Sequence, residues 1–200
     1  MSLAAARVEL VARRALDDRA RAATALGWYQ TTRRFCQSLA EQFKVELWQV
    51  AGAVAALSPM QTWEEQLTYT PLVLQAHAKG LPLPGPGFNS NKRKAAEILD
   101  GRHATTVLKG DKVRAFFECI MYAGETDRVC VDRHAWAIAH GPDAAGLEIT
   151  PRRYRDTVAA YVAAAAALRA AYPSLAEQLT PARVQSLTWV WWRDNTEARF

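Results

Sequence analysis

Two side chains near the middle of the sequence are of types that could do chemistry: Asp132 and, 20 residues before it, Lys112. Asp132 closes the short apolar run Val129-Cys130-Val131 and precedes Arg133-His134. A carboxylate so placed can stabilise positive charge developing on a reacting carbon, or orient an attacking nucleophile. It equally suits the N-cap of a helix, and one residue can fill both roles. Lys112 follows Lys109-Gly110-Asp111 at the start of the helical run 113–123. Its amine attacks carbon only where burial or a neighbouring cation leaves it partly deprotonated. The adjacent Asp111 favours the charged ammonium instead. The Gly110 turn delivers a helix N-terminus whose outward N–H groups suit an anionic group.

Other candidates divide between binding and packing. His134 and His140 flank a metal-like spacing with Asp132. Six residues at ~100° each put them about 240° apart on a helix, so a shared ion is not expected and packing or capping roles are. His77 and His103 are isolated. Trp189, Trp191 and Trp192 spread round one helix, which leaves one or two in the core and one at its border. Trp63, beside Gln61, is the better candidate for stacking on a ligand, although core packing is the commoner fate of a tryptophan. Lys92, Arg93 and Lys94 cluster at a helix start and could meet phosphates, as could Arg13, Arg14 and Arg21; a basic helix face is usually only solvated.

The chain has 200 residues, half of them hydrophobic, enough for one domain or one fold of two lobes with a sizeable core. A net charge of +5 and a pI near 9.3 permit a polyanionic partner without demanding one. Cys36, Cys119 and Cys130 sit in apolar runs and read as buried thiols of a reducing compartment. No metal site is expected. No apolar run approaches the ~20 residues of a membrane span, and the N-terminus lacks a signal-peptide layout. No membrane association is expected, and the cytoplasm is the default.

The elements that must position these residues are all helical. Apolar residues spaced by three or four over 3–43 predict one long helix or two, with a break at Gly27. A helix over 45–57 closes at Ser58-Pro59. Thr62 and Glu65 have capping-box spacing and open a helix toward His77, with a kink or a split expected at Pro71. Residues 80–87, with three prolines, form an extended loop. Asn89-Ser90-Asn91 supply caps for a helix over 92–99, ended by Asp100-Gly101. A short piece covers 104–108, and a helix runs from His134 to His140 before Gly141-Pro142. Thr150-Pro151 and Thr180-Pro181 place a capping Thr before Pro at the first helical position, opening helices over 152–172 and 182–194. Only 129–131 is strand-like, and three residues make no sheet.

Four stretches occur in an order that resembles the helix-hairpin-helix DNA glycosylases of the endonuclease III type. Leu57-Ser58-Pro59-Met60-Gln61 resembles that family's helix-ending Leu-Ser-x-Gln segment, with Gln61 one place displaced. Phe88-Asn89-Ser90-Asn91-Lys92 resembles its Tyr-Asn-x-Lys-Ala helix. Lys109-Gly110-Asp111-Lys112 resembles the hairpin and following lysine, and Val131-Asp132-Arg133-His134 its Val-Asp-x-His element. The chain departs from the pattern at Leu108, where the first hairpin glycine would stand, and at Val107, where a proline would; the loop 124–128 is also longer.

The resemblance implies a two-lobed all-α fold over residues 1–200 with a cleft between the lobes. Its core would be about 45–140, with 1–44 and 150–200 forming the second lobe. It implies DNA as partner, a monomer, Asp132 as catalytic carboxylate and Lys112 as the lysine of strand-cleaving members. Gln61, Trp63, Lys92, Lys94, Lys109 and Gly110 would contact DNA. The four clustered cysteines of the family's iron–sulfur loop are lacking, so no cofactor is expected. The implied activity is an N-glycosylase that flips and excises a modified or damaged base. Two alternatives stand beside it. With Leu187-Thr188-Trp189-Val190-Trp191-Trp192-Arg193, the chain also looks like small phage and actinobacterial proteins of this fold. Some distant relatives are thought to displace pyrophosphate from a modified thymine. The other alternative is a DNA-binding protein that kept the fold without the chemistry.

Overall fold

The computed structural model describes residues 1–196. Among them are eleven α-helices, two 3-10 segments and no strand. The chain divides into two compact units, residues 1–30 with 122 onward, and residues 31–121.

The first unit is built on α1 (Leu3–Asp17), α2 (Arg19–Leu26), α9 (Arg133–His140), α10 (Pro151–Ala171) and α11 (Pro181–Asn195). Where one long helix or two were expected over 3–43, with a break at Gly27, there are three helices. Asp18 breaks it first, its carboxylate accepting from Arg21 N as the cap of α2. Gly27 breaks it again before α3 (Trp28–Phe43). Small residues on α1 (Ala12, Ala15) and on α10 (Ala164, Ala165) are buried in the same core, joined by Val8, Leu168, Val184 and Leu187. These alanines therefore form a packing face, and the helices gain area through close approach rather than bulk.

Thr150 and Thr180 cap α10 and α11 as expected, accepting from Arg153 N and Arg183 N at 3.3 and 3.2 Å. The apolar run 129–131 is buried without a strand partner. The Tyr154 hydroxyl takes that part, donating to Val129 O at 2.7 Å and accepting from Val131 N at 3.4 Å.

The second unit surrounds α4 (Leu47–Leu57), whose residues 50–57 are all buried. A helix apolar on every side belongs in a core. Around it lie α5 (Trp63–Ala78), α6 (Asn89–Leu99), the four-residue α7 (Ala104–Val107) and α8 (Asp111–Met121). Gly52 allows close approach: a Cβ there would lie 2.8 Å from Ala104 Cβ and 2.9 Å from Ile98 Cγ2. Gln49 donates to the terminal carbonyls of α6, Ile98 O and Leu99 O, satisfying groups a helix end leaves open. The capping box at Thr62 and Glu65 is formed. The helix after it runs unbroken through Pro71, where two pieces were one of the expectations. Packing of Thr70, Val73 and Leu74 into the core holds the two halves in one element. Helix α6 begins at Asn89 with Phe88 as its N-cap, so the expected cap residues lie within its first turn.

The division falls at 30/31 and 121/122, whereas the sequence suggested a core over 45–140. Residues 122–140 belong with the terminal helices because Trp136, Ile138 and Ala139 bury among residues of α1, α10 and α11.

Candidate functional site

Asp132 is the N-cap of α9, in extended backbone, and one carboxylate oxygen accepts from Ala135 N at 2.8 Å. The other accepts from the indole N–H of Trp189, on α11, at 3.0 Å. The carboxylate is half-buried and fixed in orientation from two sides. Each oxygen uses one of about two lone-pair positions, so each retains acceptor capacity. Its charge also reaches Tyr161, which is fully buried. Burial first, and the neighbouring Asp132 in addition, raise the phenol's pKa against a lowering by its bond to Thr188.

Trp189 ties Asp132 to a set of flat, cationic and polar groups. Trp28 packs against the Trp189 ring at 5.8 Å, and His134 meets it edge-on at 6.2 Å. The guanidinium of Arg193 lies over the ring, 4.6 Å from its centroid. Behind Trp28 stands Tyr29, ring to ring at 5.0 Å, whose hydroxyl donates to Gln185 at 2.6 Å. Sequence reasoning singled out Asp132 and had Trp189 among three candidate tryptophans, but missed Trp28, Arg193 and their convergence. Tryptophan 161 residues upstream of its partner carries no local signal.

Lys112, Lys109 and Gly110 lie together in the other unit, where α7, the turn 108–110 and α8 form a short helix, a tight turn and a helix. Leu108 is fully buried and anchors the turn in the core. Arg114 closes it further, donating to Leu108 O at 2.6 Å and Thr105 O at 3.0 Å. Lys109 and Gly110 are exposed, and Lys112 is half-buried. A Cβ on Gly110 would meet only Val113 Cγ2, at an ordinary 3.7 Å, so packing does not demand glycine there.

Gln61 is spent within the protein. Its amide donates to Pro86 O at 2.9 Å and its oxygen accepts from Gln66, which ties the Pro-rich loop to α5. Tyr69 holds the same loop where Gly85, at φ +92, lets the backbone approach its ring. The residue before Gln61 and the residue after Gly87 are the ones presented outward. Met60 is 72% exposed and, although not glycine, sits in the left-handed region at φ +68. Phe88 is 60% exposed. Neither stood out in the sequence, because exposure of a single apolar residue has no periodic signature. Trp63 is half-buried and meets Phe35 edge-on at 5.9 Å. Lys92 and Lys94 are half-buried on α6, with Arg93 exposed between them.

No cluster of metal-binding side chains occurs among the described residues. His134 and His140 lie apart in role: the first meets Trp189, the second stacks on Trp136 and bonds Thr157. The three cysteines are free and buried, and burial pushes the Cys36 thiol up to about 12. No described helix is long and apolar enough to cross a membrane.

The fold and site define an all-α protein of two compact units, one of which presents a capped, indole-bound carboxylate beside aromatic and cationic groups. By sequence the chain belongs to a family of unknown function, DUF7178, whose profile matches residues 5–196. No curated protein and no solved structure matches the chain.

Proposed function

We propose that the protein acts on nucleobases in DNA as an N-glycosylase, with Asp132 as the catalytic carboxylate. The observation that carries the reading is the held Asp132 carboxylate within an aromatic and cationic group. A flat base is recognised by stacking, and its departure leaves positive charge at the deoxyribose C1′ that a carboxylate stabilises. The C1′–N bond breaks with its electron pair leaving on the base; water then bonds to C1′, and the proton it loses balances the one the departing base gains. In the other unit the exposed Met60 and Phe88, with Lys92, Lys94, Lys109 and Gly110, supply apolar and basic groups suited to a distorted duplex and its phosphates. The short helix, turn and helix of α7 and α8 support assignment to a two-lobed helix-hairpin-helix fold.

Incubation with oligonucleotides carrying uracil, oxidised, alkylated and hypermodified bases tests the reading. Excision of one of these bases by the wild type and its loss in Asp132→Asn are expected. No abasic product from any substrate, or full activity in Asp132→Asn, would overturn it. Borohydride trapping reads the part of Lys112. The expected result is no trapped complex and an intact abasic strand.

A second reading rests on the same geometry. Both oxygens of Asp132 already accept hydrogen bonds, and Leu108 replaces a hairpin glycine, which favours a DNA-binding protein without base chemistry. Salt-sensitive duplex binding unchanged by Asp132→Ala, with no excised base, would select it. A changed base substituent with an intact glycosidic bond would select the thymine-modifying alternative.

A further inference from the structure

Helix α9 carries Asp132 at one end and a cationic cluster at the other. His140, its last residue, stacks on Trp136 at 3.9 Å between ring centroids, and the Arg153 guanidinium lies 6.0 Å from the centroid of that same Trp136 ring. Arg7 reaches in from α1. A Cβ on Gly141 would stand 2.6 Å from Arg7 Nη1, so the glycine, at φ +99, leaves the notch the guanidinium occupies. Among the described residues Arg7 has no carboxylate within ion-pair distance. Arg153 spends one nitrogen on a carbonyl, Glu148 O, at 2.8 Å.

The imidazole has a defined orientation. The Thr157 hydroxyl donates its one proton to Arg153 O at 2.8 Å, so toward His140 Nε2, at 2.9 Å, it accepts. Nε2 therefore carries hydrogen in the neutral ring, and Nδ1 is the atom that gains a proton. Burial first, then Arg7 and, more weakly, Arg153 lower the affinity of His140 for that proton. Asp156 opposes them, more strongly than Arg153 adds to them, and its carboxylate lies 3.9 Å from Arg152. Asp143, in the following 3-10 segment, is exposed.

We propose that Arg7, Arg153 and His140 form a binding site for a phosphate group, with His140 Nδ1 as a proton-linked third donor. Two guanidinium groups with no carboxylate at ion-pair distance among the described residues suit a tetrahedral oxyanion, which accepts from several directions at once. A bound dianion offsets the repulsion that opposes imidazole protonation, so phosphate binding and proton uptake are linked. The phosphate could come from a nucleic-acid backbone or be free in solution. The backbone source rests on the DNA reading above, and the free source does not.

The test is an NMR titration of the His140 imidazole in the full chain. It is run in sodium phosphate, in sodium chloride of equal ionic strength, and in chloride with a short DNA duplex. Phosphate is expected to raise the His140 pKa, and Arg7→Gln or Arg153→Gln to abolish the rise and weaken phosphate binding roughly tenfold or more. Each variant is checked by thermal melting, and two independent ones guard against misfolding. A response to both probes assigns the site to backbone phosphates, and a response to inorganic phosphate alone assigns it to a small phosphorylated ligand. No response to either probe, or an equal response in both variants, overturns the proposal. Base excision is read separately, so loss of that activity and loss of this site are distinguishable.

Discussion

Trp189 donates its indole N–H to Asp132 at 3.0 Å, and Asp132 in turn caps α9 through Ala135 N at 2.8 Å. One carboxylate thus joins the start of one helix to the middle of another. Asp132→Ala removes the cap and leaves the half-buried indole N–H without that acceptor. It is expected to cost about 2–5 kcal/mol, the sum of a lost N-cap and a lost hydrogen bond to a charged group. Asp132→Asn keeps the cap and is expected to cost less. Thermal melts rank the variants, and excision assays give the contrast that matters. If Asp132 is catalytic, the better-folded Asp132→Asn still loses roughly 10²-fold or more in rate.

Gly52 carries a different kind of constraint. Alanine is the better helix former by about 1 kcal/mol, so on propensity alone Gly52→Ala should stabilise α4. A methyl group there would lie 2.8 Å from Ala104 Cβ and 2.9 Å from Ile98 Cγ2. Overpacking of this kind costs about 1–3 kcal/mol. Net destabilisation is expected, visible as a lower Tm. An unchanged or raised Tm would show that α6 and α7 can shift to make room.

What the sequence made legible was local chemistry. Thr150-Pro151, Thr180-Pro181 and the Thr62–Glu65 box announce helix starts because cap and capped amide lie three residues apart. Asp132 as an N-cap was legible for the same reason. The break at Asp18 was not, because Asp17 and Asp18 read equally well as the charged face of one continuing helix. Trp189 and Asp132 are 57 residues apart, and only the rotation of α11 against α9 decides which of three tryptophans reaches the carboxylate. Gln61 likewise reads as a surface contact until the Pro-rich loop is folded back on it.

Met60 separates stability from binding. Its left-handed backbone costs an ordinary side chain about 1 kcal/mol, a strain that asparagine tolerates better. Met60→Asn is therefore expected to match or exceed the wild type in thermal stability. If the exposed Met60 and Phe88 wedge into a distorted duplex, Met60→Asn and Phe88→Ala will weaken DNA binding while leaving its salt dependence unchanged. Lys92→Gln and Lys94→Gln will lower the salt dependence instead. Wild-type affinity in both apolar variants would remove these two residues from the DNA surface.

His140 sets the sign of a pH effect on stability. Burial, followed by Arg7, lowers its folded-state pKa below the ordinary value of 6.5. In the window between the folded and unfolded values the unfolded chain binds more protons. Stability therefore rises with pH across that window and falls on acidification through it. The contribution is complete above 6.5 and gone below the folded value, where both states are protonated. Measured in chloride buffers, the wild type should lose stability as the pH drops from 7 toward 5, and His140→Asn should lose less. Carboxylates titrate mainly below this range, so the difference between the two curves isolates the imidazole. Parallel curves would mean that the ring is free to protonate in the folded protein, and that the Arg7 notch does not oppose the charge.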